Sequence, residues 1–486
     1  MIVKITGKLR MMKKYILQWL ILPLLLTSCG TLPPPPTATS APTLTPVPPT
    51  ATVLPTETPA PTLTLTPTVT IWPTPNADQL ALISRLRMVY TKDGNLYIQD
   101  GTNAPRQLTS SGLDREPIIS DDGQKIVFYR RLPTEPDQVY SISADGSQEQ
   151  PVITRSILNA LNLGYFDPDY VRAEYVVFVP GTHLLLFDTM MISPEQASSG
   201  SGAHTSYDDL LVVDTDTAKI KHLFGYMQVY QFNVSPNGKL IAIQTTDRVK
   251  IIDITGRVVR TLLTYDIYNG HGWKEGELWR EFRLNFYWTG DSSALFVFIP
   301  RDWDEVDYDY HFALYNVWKY PLNGASPVKI NLAPSPSIPQ EISPDGKWLV
   351  YYYAPQLPDY YITDADRSFE PGIYMANLQD GSTKFLTNES NFFYNDLHWS
   401  PDSAHFGYYG GFGDEHEYFG NLVGEITPKE DVQSFFGWVD GNHYLFGKAE
   451  MGAIDKEMTL RLVESAGLGA GFNAFRFIVL KPAIEK

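Results

Sequence analysis

A four-residue turn recurs along this chain of 486 residues at nearly constant intervals, and it limits the possible folds more than any other feature. Its clearest copies begin at positions 235, 289, 343 and 400, so their spacings are 54, 54 and 57 residues. Proline presets φ, Asp or Asn caps its own backbone, and Gly supplies the positive φ of a hairpin turn, so each copy predicts two antiparallel strands. The copies are Ser120-Asp121-Asp122-Gly123, Ser235-Pro236-Asn237-Gly238, Thr289-Gly290-Asp291-Ser292, Ser343-Pro344-Asp345-Gly346 and Ser400-Pro401-Asp402-Ser403, with weaker forms at Pro180-Gly181-Thr182 and Asp440-Gly441-Asn442.

A second tight turn follows most copies, as at Thr255-Gly256 and Asp380-Gly381, and it lies between two more β-rich runs. Residues 232–263 show the complete unit of four short strands and two turns. Four antiparallel strands with tight turns make one blade of a β-propeller. The sequence therefore predicts an all-β propeller of four-stranded antiparallel blades, most simply seven, with eight or six as alternatives.

The two ends of the chain decide between these counts, because a propeller must close its ring. Seven turns predict blades near residues 117, 175, 232, 286, 340, 397 and 435. Three further candidate strands lie at 88–91, 95–99 and 106–109, and the C-terminal run 475–480 is a candidate partner for them. If these strands form a blade of their own, the count is eight.

The repeat resembles the propeller units of the TolB and WD40-like family, which carry the run W-S-P-D-G-K-x-I-A-F. The matching stretches are 234–243, 342–351 and 398–402. The resemblance covers roughly residues 86 to 480, and it implies the propeller fold while saying little about the ligand. TolB proteins have an α/β domain ahead of the propeller, whereas only a few residues here separate a linker from the first strand.

The N-terminal residues 1–28 have the parts of a lipoprotein signal peptide. Lys13-Lys14 precede the apolar run 15–26, and Leu26-Thr27-Ser28-Cys29 resembles a lipobox. Cys29 is the only cysteine of the chain and is the expected site of lipid attachment. A retained membrane helix is the alternative, but this run is shorter than the roughly 20 residues that span a bilayer.

Residues 29–77 comprise this cysteine and a stalk of mostly Pro, Thr, Ala, Leu and Val, with a single charge at Glu57. Such a composition favours extended polyproline II, at about 3.1 Å per residue. The stalk would hold residues 78–486, predicted to be one propeller domain, away from a membrane. The expected location is the cell envelope, lipid-anchored on the outer side of the cytoplasmic membrane or in the outer membrane.

Five long insertions are predicted to converge on one face of the propeller. In a blade with strands a to d, the a–b and c–d turns emerge on one face, and the b–c and d–a connections on the other. The short turns all belong to the first set. Long connections are often functional, so their shared face is the candidate contact surface. The insertions are residues 190–209, 265–283, 301–312, 354–371 and 410–420.

Three of these insertions are both acidic and aromatic, and together 301–310, 354–371 and 410–420 carry −10 of the net charge of −17. Aromatic faces stack on sugar rings or cations, and carboxylates bind hydroxyls, cations or basic side chains. The alternative is a solvated acidic rim whose aromatics, such as Phe369 and Tyr418, anchor the loops to the sheets. The candidate ligand-binding residues are Asp302, Trp303, Asp304, Asp307, Tyr308, Asp309, Tyr360, Asp364, Asp414 and Glu415.

The sequence predicts no cofactor, with calcium as the alternative at the first acidic insertion. Asp302, Asp304, Asp307 and Asp309 offer closely spaced oxygens that Ca²⁺ accepts, although the layout of an EF-hand loop is missing. The sequence has no close pair of His ligands for a transition metal.

These features predict a membrane-anchored, externally displayed binding or scaffold module. Its partners would be membrane lipid, through Cys29, and a protein, peptide or glycan at the loops. The pI near 5.0 argues against nucleic acid, whose affinity rests on basic phosphate contacts. The alternative is a glycosidase or lyase using paired loop carboxylates. The sequence leans against an enzyme, because it has no Gly-x-Ser-x-Gly motif of hydrolases.

Replacing Cys29 by Ala should block lipid attachment, because the chain has no other thiol. Metabolic labelling with a fatty-acid analogue measures this directly. Label that persists in the variant would contradict the assignment of the lipobox.

Overall fold

The computed structural model describes residues 76–133, 136–161, 171–191, 205–206, 208–245, 248–264, 284–300, 314–354, 368–388, 397–409, 416–429, 435–447, 450–453, 459–461 and 472–480. The chain divides into two compact units, Met1–Val69 and Thr70–Lys486, and all described residues belong to the second. The predicted signal peptide, Cys29 and the stalk up to residue 75 lie outside the described residues.

The described residues are mainly β-strands. The strands are β1 (Leu86–Lys92), β2 (Asn95–Asp100), β3 (Arg106–Gln107), β4 (Asp114–Ile119), β5 (Lys125–Arg130), β6 (Gln138–Ser143), β7 (Gln150–Ile153), β8 (Val171–Phe178), β9 (Leu184–Met191), β10 (Thr205–Ser206), β11 (Leu210–Asp214), β12 (Lys219–Phe224), β13 (Gln231–Val234), β14 (Leu240–Gln244), β15 (Arg248–Asp253), β16 (Val258–Thr264), β17 (Asn285–Trp288), β18 (Ala294–Pro300), β19 (Tyr315–Pro321), β20 (Val328–Ile330), β21 (Ile338–Ile342), β22 (Trp348–Tyr353), β23 (Gly372–Asn377), β24 (Thr383–Thr387), β25 (His398–Trp399), β26 (His405–Tyr409), β27 (Glu417–Asn421), β28 (Ile426–Lys429), β29 (Phe435–Trp438), β30 (His443–Phe446), β31 (Glu450–Ala453), β32 (Thr459–Arg461) and β33 (Phe472–Val479).

Two short helices accompany the strands. Helix α1 (Ala77–Ile83) begins at a capping box, in which Asn76 and Gln79 each bond the other's backbone N–H. Helix α2 (Arg155–Ala160) begins at Thr154, whose hydroxyl accepts the N–H of Ile157. Within the described residues, no helix is long and apolar enough to cross a bilayer.

The strands form eight antiparallel sheets, which are the blades of the propeller. Blade 1 consists of β33, β1, β2 and β3; blade 2 of β4 to β7; blade 3 of β8, β9, β11 and β12, with β10 extending the edge of β9. Blades 4 to 8 each take the next four strands in order, from β13–β16 to β29–β32. The all-β class and the four-stranded antiparallel blade are thus confirmed.

The expected count of seven blades is not confirmed, since the sheets number eight. Seven sheets match the seven predicted turns, and the eighth joins the chain ends, with Leu86 of β1 opposite Val479 of β33. This blade has no a–b turn, because its first two strands lie at opposite ends of the sequence. The turn pattern therefore could not count it.

Each blade packs against the next through a cluster of buried apolar side chains, and the last packs against the first. Blades 3 and 4, for example, share Leu186 and Ile243 in one cluster. Val439 and Leu445 of blade 8 pack on Met88 and Tyr90 of blade 1. Equivalent clusters at the other junctions complete the closed ring, and the first strands of blades 4 to 8 contact one another in succession.

The recurring turn is held by a buried hydroxyl. In blade 6, Ser343 is fully buried, donates to Asp345 Oδ1 at 2.7 Å and accepts the N–H of Trp348 at 2.9 Å. Asp345 Oδ1 also accepts the N–H of Lys347 at 3.0 Å, and Gly346 has φ of 70°. Four other blades repeat these contacts at Ser120, Ser235, Thr289 and Ser400.

Tryptophan joins neighbouring blades at the same turns. The indole N–H of Trp288 donates to the carbonyl of Asn233 in the preceding blade at 3.0 Å. Trp399 donates likewise to Glu341 at 3.0 Å, and Trp438 to His398 at 3.2 Å. Each acceptor lies two residues before the turn Ser of its own blade, so the Trp of the W-S-P-D-G run links blades to one another.

The a–b and c–d turns emerge on one side of the ring, which we call the turn face, and the b–c and d–a connections on the other, the loop face. The chain enters the propeller on the turn face. Leu480, after β33, donates its N–H to the carbonyl of Arg85, before β1, at 2.8 Å, where an a–b turn would otherwise stand.

Replacing Ser343 by Ala should lower the free energy of unfolding by about 1–3 kcal/mol, because the buried N–H of Trp348 loses its acceptor. The control is Ser382→Ala in the exposed c–d turn of the same blade, where the hydroxyl bonds Asp380 at 2.7 Å. The control should change stability by less than about 0.5 kcal/mol. Urea unfolding measures both variants. If Ser343→Ala and Ser382→Ala lower the free energy of unfolding equally, the buried hydroxyl does not have the role described.

Candidate functional site

The ten ligand-binding residues predicted from the sequence lie at 301–313, 355–367 and 410–415, outside the described residues. The flanking strands are described, and they end at the loop face. Pro300 pairs with Tyr315 in blade 5, Tyr353 with Gly372 in blade 6, and Tyr409 with Glu417 in blade 7. The three acidic connections therefore leave from the b–c position of three consecutive blades. The calcium prediction, which falls on the first connection, also lies outside the described residues.

Buried strand ends hold two of these connections at their bases. Leu314 is 3% exposed and Ala354 is 2% exposed. Ser337 bonds both backbone groups of Ala354, accepting its N–H at 3.0 Å and donating to its carbonyl at 3.2 Å. These two strand ends are thus fixed in the sheet.

Two aromatic residues that the sequence placed in the acidic insertions anchor the sheets. Phe369 lies edge-to-face with Tyr353 at 6.5 Å. Tyr418 is buried in β27 and stacks on Tyr408 at 5.2 Å. Phe369 and Tyr418 therefore pack against the sheets, as the alternative interpretation of these aromatic residues predicts.

Glu417 is a buried carboxyl group at the loop-face end of β27. It is the first residue of β27, directly opposite Tyr409 and Lys429 on the neighbouring strands. The residue is 2% exposed, and within the described part of the chain no group hydrogen-bonds its Oε1. Burial raises the pKa of Glu417 to about 8, so the folded protein holds this side chain mostly as the neutral acid at pH 7.

The surroundings of Glu417 explain its burial. Alternation along the strand places it on the same side of the sheet as Phe419, and Phe419 stacks on Tyr444 of blade 8 at 4.5 Å. A Cβ at Gly407, on the neighbouring strand, would make a tight contact of 3.0 Å with the Phe419 ring and an ordinary contact of 3.5 Å with Glu417 Oε1. Glu417 therefore lies in the aromatic seam between blades 7 and 8, at its loop-face end.

A carboxylic acid that stays neutral at pH 7 can donate a proton, which is what a general acid needs. Among the described residues, no three His, Cys, Asp or Glu side chains are grouped so that they could hold a metal ion. Sequence reasoning counted Glu417 as one more loop carboxylate. Only its place in the strand ladder distinguishes it from Asp414 and Glu415.

A second group of charges lies where β4 and β8 begin, between blades 2 and 3. Arg115 forms ion pairs with Glu116 and Asp137. Arg172 bonds Glu174 at 3.2 Å and lies 3.7 Å from Asp137. The sequence does indicate this group, because Arg115 and Glu116 in β4, and Arg172 and Glu174 in β8, are charged residues within otherwise largely apolar strands.

The pKa of the Tyr129 hydroxyl is raised, and four of these charged side chains affect it. Burial raises its pKa most, Glu174 and Glu116 raise it further, and Arg172 and Arg115 oppose the rise. Arg115 also lies over the Tyr129 ring at 5.7 Å. The four charged groups thus share one small region with this tyrosine.

Comparison with known proteins finds similarity in fold only. No known protein family and no curated protein sequence matches the chain. A eukaryotic initiation factor structure is 14% identical over 77% of this chain and 84% of that chain, with a TM-score of 0.47. TolB from Acinetobacter baumannii is 13% identical over 73% and 65%, with a TM-score of 0.32. Oligogalacturonate lyase from Vibrio parahaemolyticus is 12% identical over 70% and 92%, with a TM-score of 0.40. Similarities of this size carry no conclusion about activity or ligand.

Replacing Glu417 by Gln should stabilise the protein increasingly as pH rises. The folded protein keeps a proton on Glu417 up to about pH 8, whereas the unfolded chain loses it near the ordinary value of 4.5. The wild type therefore loses stability across that window, at up to about 1.4 kcal/mol per pH unit, and the variant does not. Unfolding midpoints in urea at pH 5 and pH 8 measure the difference.

The matched control is Glu425→Gln, an exposed carboxylate in the c–d turn of the same blade. The difference in unfolding midpoint between Glu425→Gln and the wild type should be nearly the same at pH 5 and pH 8. A Glu417→Gln difference that is also constant with pH would show that Glu417 titrates normally.

Proposed function

We propose that this chain is a membrane-anchored, externally displayed β-propeller lipoprotein that binds a protein, peptide or glycan through its acidic, aromatic loop face. The observation that carries the proposal is that three acidic connections leave from consecutive blades, 5, 6 and 7, on one side of the ring. From these neighbouring origins we infer that the carboxylates and aromatic residues of the three connections share one surface.

The place where the chain joins the propeller supports this use of the loop face. Arg85 and Leu480 meet on the turn face, where Arg85 Nε also donates to the carbonyl of Leu480 at 3.0 Å. Helix α1 leads into this point, and Ile83 of the helix is buried against blade 1 and blade 8. The chain therefore enters blade 1 on the turn face, opposite the loop face.

The anchor itself is inferred from the sequence. Cys29 within its lipobox would carry the lipid, and the Pro- and Thr-rich stalk would separate lipid and propeller. Threonine-rich, proline-rich stalks of this kind stay extended, because proline denies them helix and sheet.

A carbohydrate-active enzyme is the second candidate, and Glu417 is the observation that favours it. Its raised pKa suits a general acid, which a glycosidase or lyase pairs with a second carboxylate. Asp414 and Glu415 are close in sequence and could supply that carboxylate. If the protein is such an enzyme, Glu417→Gln should abolish turnover of an oligosaccharide substrate. If it is a binding protein, the same substitution should leave ligand binding at the loops unchanged.

Replacing Asp302, Trp303, Asp304 and Tyr308 together by Ala should reduce binding at least tenfold, because the proposed contacts come from this connection. Arrays of glycans and peptides, probed with full-length protein in detergent with and without Ca²⁺, identify the partner and measure the loss. The unfolding midpoint should change little, since none of the four residues belongs to a described strand.

The control is Asp345→Ala on the turn face, which should lower stability by about 0.5–2 kcal/mol through lost turn bonds and leave binding unchanged. Binding that survives the loop variant but disappears in a folded Asp345 variant would overturn the proposed surface.

A further inference from the structure

Two neighbouring blades have irregular innermost strands at equivalent places. In β4 the pairing register shifts between Arg115 and Ile118, and Glu116 has φ of 50°. In β8 it shifts between Glu174 and Val177, and Tyr175 has φ of 45°. A left-handed backbone is unfavourable for a bulky side chain, and bulges redirect side chains near functional sites.

The side chains at these bulges are exposed. Tyr175 is 60% exposed and Val177 is 38% exposed, and the Glu116 side chain is 57% exposed. β4 and β8 are the first strands of their blades, which is the position next to the central channel of a propeller. Tyr175 and Val177 lie on either side of the buried Val176 in the sequence, and we call these two exposed side chains the apolar patch of β8.

The charges around this patch balance. Three guanidinium groups surround Asp137, with Arg115 and Arg172 in the contacts given above and Arg131 Nε at 4.0 Å. Glu116 and Glu174 supply the other two negative charges. Three positive and three negative groups leave no net charge to attract an ion, while they present hydrogen-bond donors beside acceptors.

We propose that this section of channel wall binds an uncharged sugar ring, with Tyr175 and Val177 against its apolar face and the Arg–carboxylate pairs bonding its hydroxyls. A ring face of C–H groups suits the tyrosine, and adjacent hydroxyls suit paired donors and acceptors. The site is separate from the proposed loop contacts, since it uses only residues of blades 2 and 3.

Saturation-transfer NMR with full-length protein in detergent tests the site, using maltohexaose, cellohexaose and a uronic-acid hexamer as probes. We expect transfer to at least one neutral hexasaccharide and a stronger signal than for the charged hexamer. Tyr175→Ala should weaken that binding at least tenfold, and Tyr175→Trp should retain it. Phe385→Ala, at an exposed aromatic on the outer strand β24, is the matched control and should leave binding unchanged.

Tyr175→Gly gives an independent readout. It should abolish sugar binding and raise the thermal midpoint, because glycine tolerates the left-handed φ that tyrosine adopts here. The proposal is overturned if no neutral hexasaccharide receives transfer, if the charged hexamer binds better, or if binding persists in a folded Tyr175→Ala protein. The outcome is independent of the loop variants, so either proposal can fail alone.

Discussion

The pairing of β33 with β1 is the contact on which the ring depends. It joins residues nearly 400 positions apart, with Leu86 opposite Val479 and Lys92 opposite Phe472. All other blades are built from consecutive strands, so this is the one sheet that requires the two ends of the chain to meet. Closing so long a segment costs little more entropy than closing a shorter one, because the cost grows only with the logarithm of length. In return, blades 1 and 8 bury the apolar surfaces that an open ring would expose.

Local chemistry made seven of the eight blades predictable. The turn at Ser343 is determined by local sequence, because its hydrogen bonds join residues within the turn. The Ser343 hydroxyl donates to Asp345, and the N–H of Gly346 donates to the carbonyl of Ser343. A pattern of that kind is readable in sequence wherever it recurs. The blade that closes the ring lacks this turn, because its first two strands come from the two ends of the chain. The candidate strands at 88–91, 95–99, 106–109 and 475–480 therefore indicated an eighth blade only as an alternative. The indole contacts of Trp288 and Trp399 were also hidden, because their acceptors are backbone carbonyls of another blade.

The candidate site was predictable only as a region. Strand order correctly set the connections around 301–313 and 355–367 between second and third strands, so the face they share follows from topology. The roles of individual residues in these connections could not be predicted from the strand order. Asp414, Glu415 and Glu417 look alike in a glycine-rich acidic stretch, yet Glu417 belongs to a strand and is buried. Likewise Tyr175 reads as an ordinary strand residue, and only the register shift in β8 shows that it is redirected.

The seams between blades differ in chemistry, and this difference sets how the ring responds to pH. Between blades 2 and 3, His183 lies between Asp216 at 2.8 Å and Asp122 at 3.1 Å. Burial alone would lower the pKa of His183, but the hydrogen bonds and charges of the two carboxylates outweigh burial and raise it. This histidine stabilises the fold fully below its ordinary pKa of 6.5 and ceases to do so as pH rises through the raised value.

Glu417 acts in the same direction in the seam between blades 7 and 8, because it too holds its proton more tightly when folded. The turn aspartates act in the opposite direction. A hydrogen bond from Thr289 lowers the pKa of Asp291 to about 2, and one from Ser382 lowers that of Asp380. Their contribution is present above the ordinary 3.8 and is lost as pH falls below it. The lowered pKa values of Asp291 and Asp380 therefore favour the folded state as pH rises through the acidic range, whereas the raised pKa values of His183 and Glu417 favour it at lower pH. In the pH series used for Glu417, the wild-type midpoint should accordingly be highest in mildly acidic solution, and a maximum at pH 8 would show that the seams do not bind protons as described.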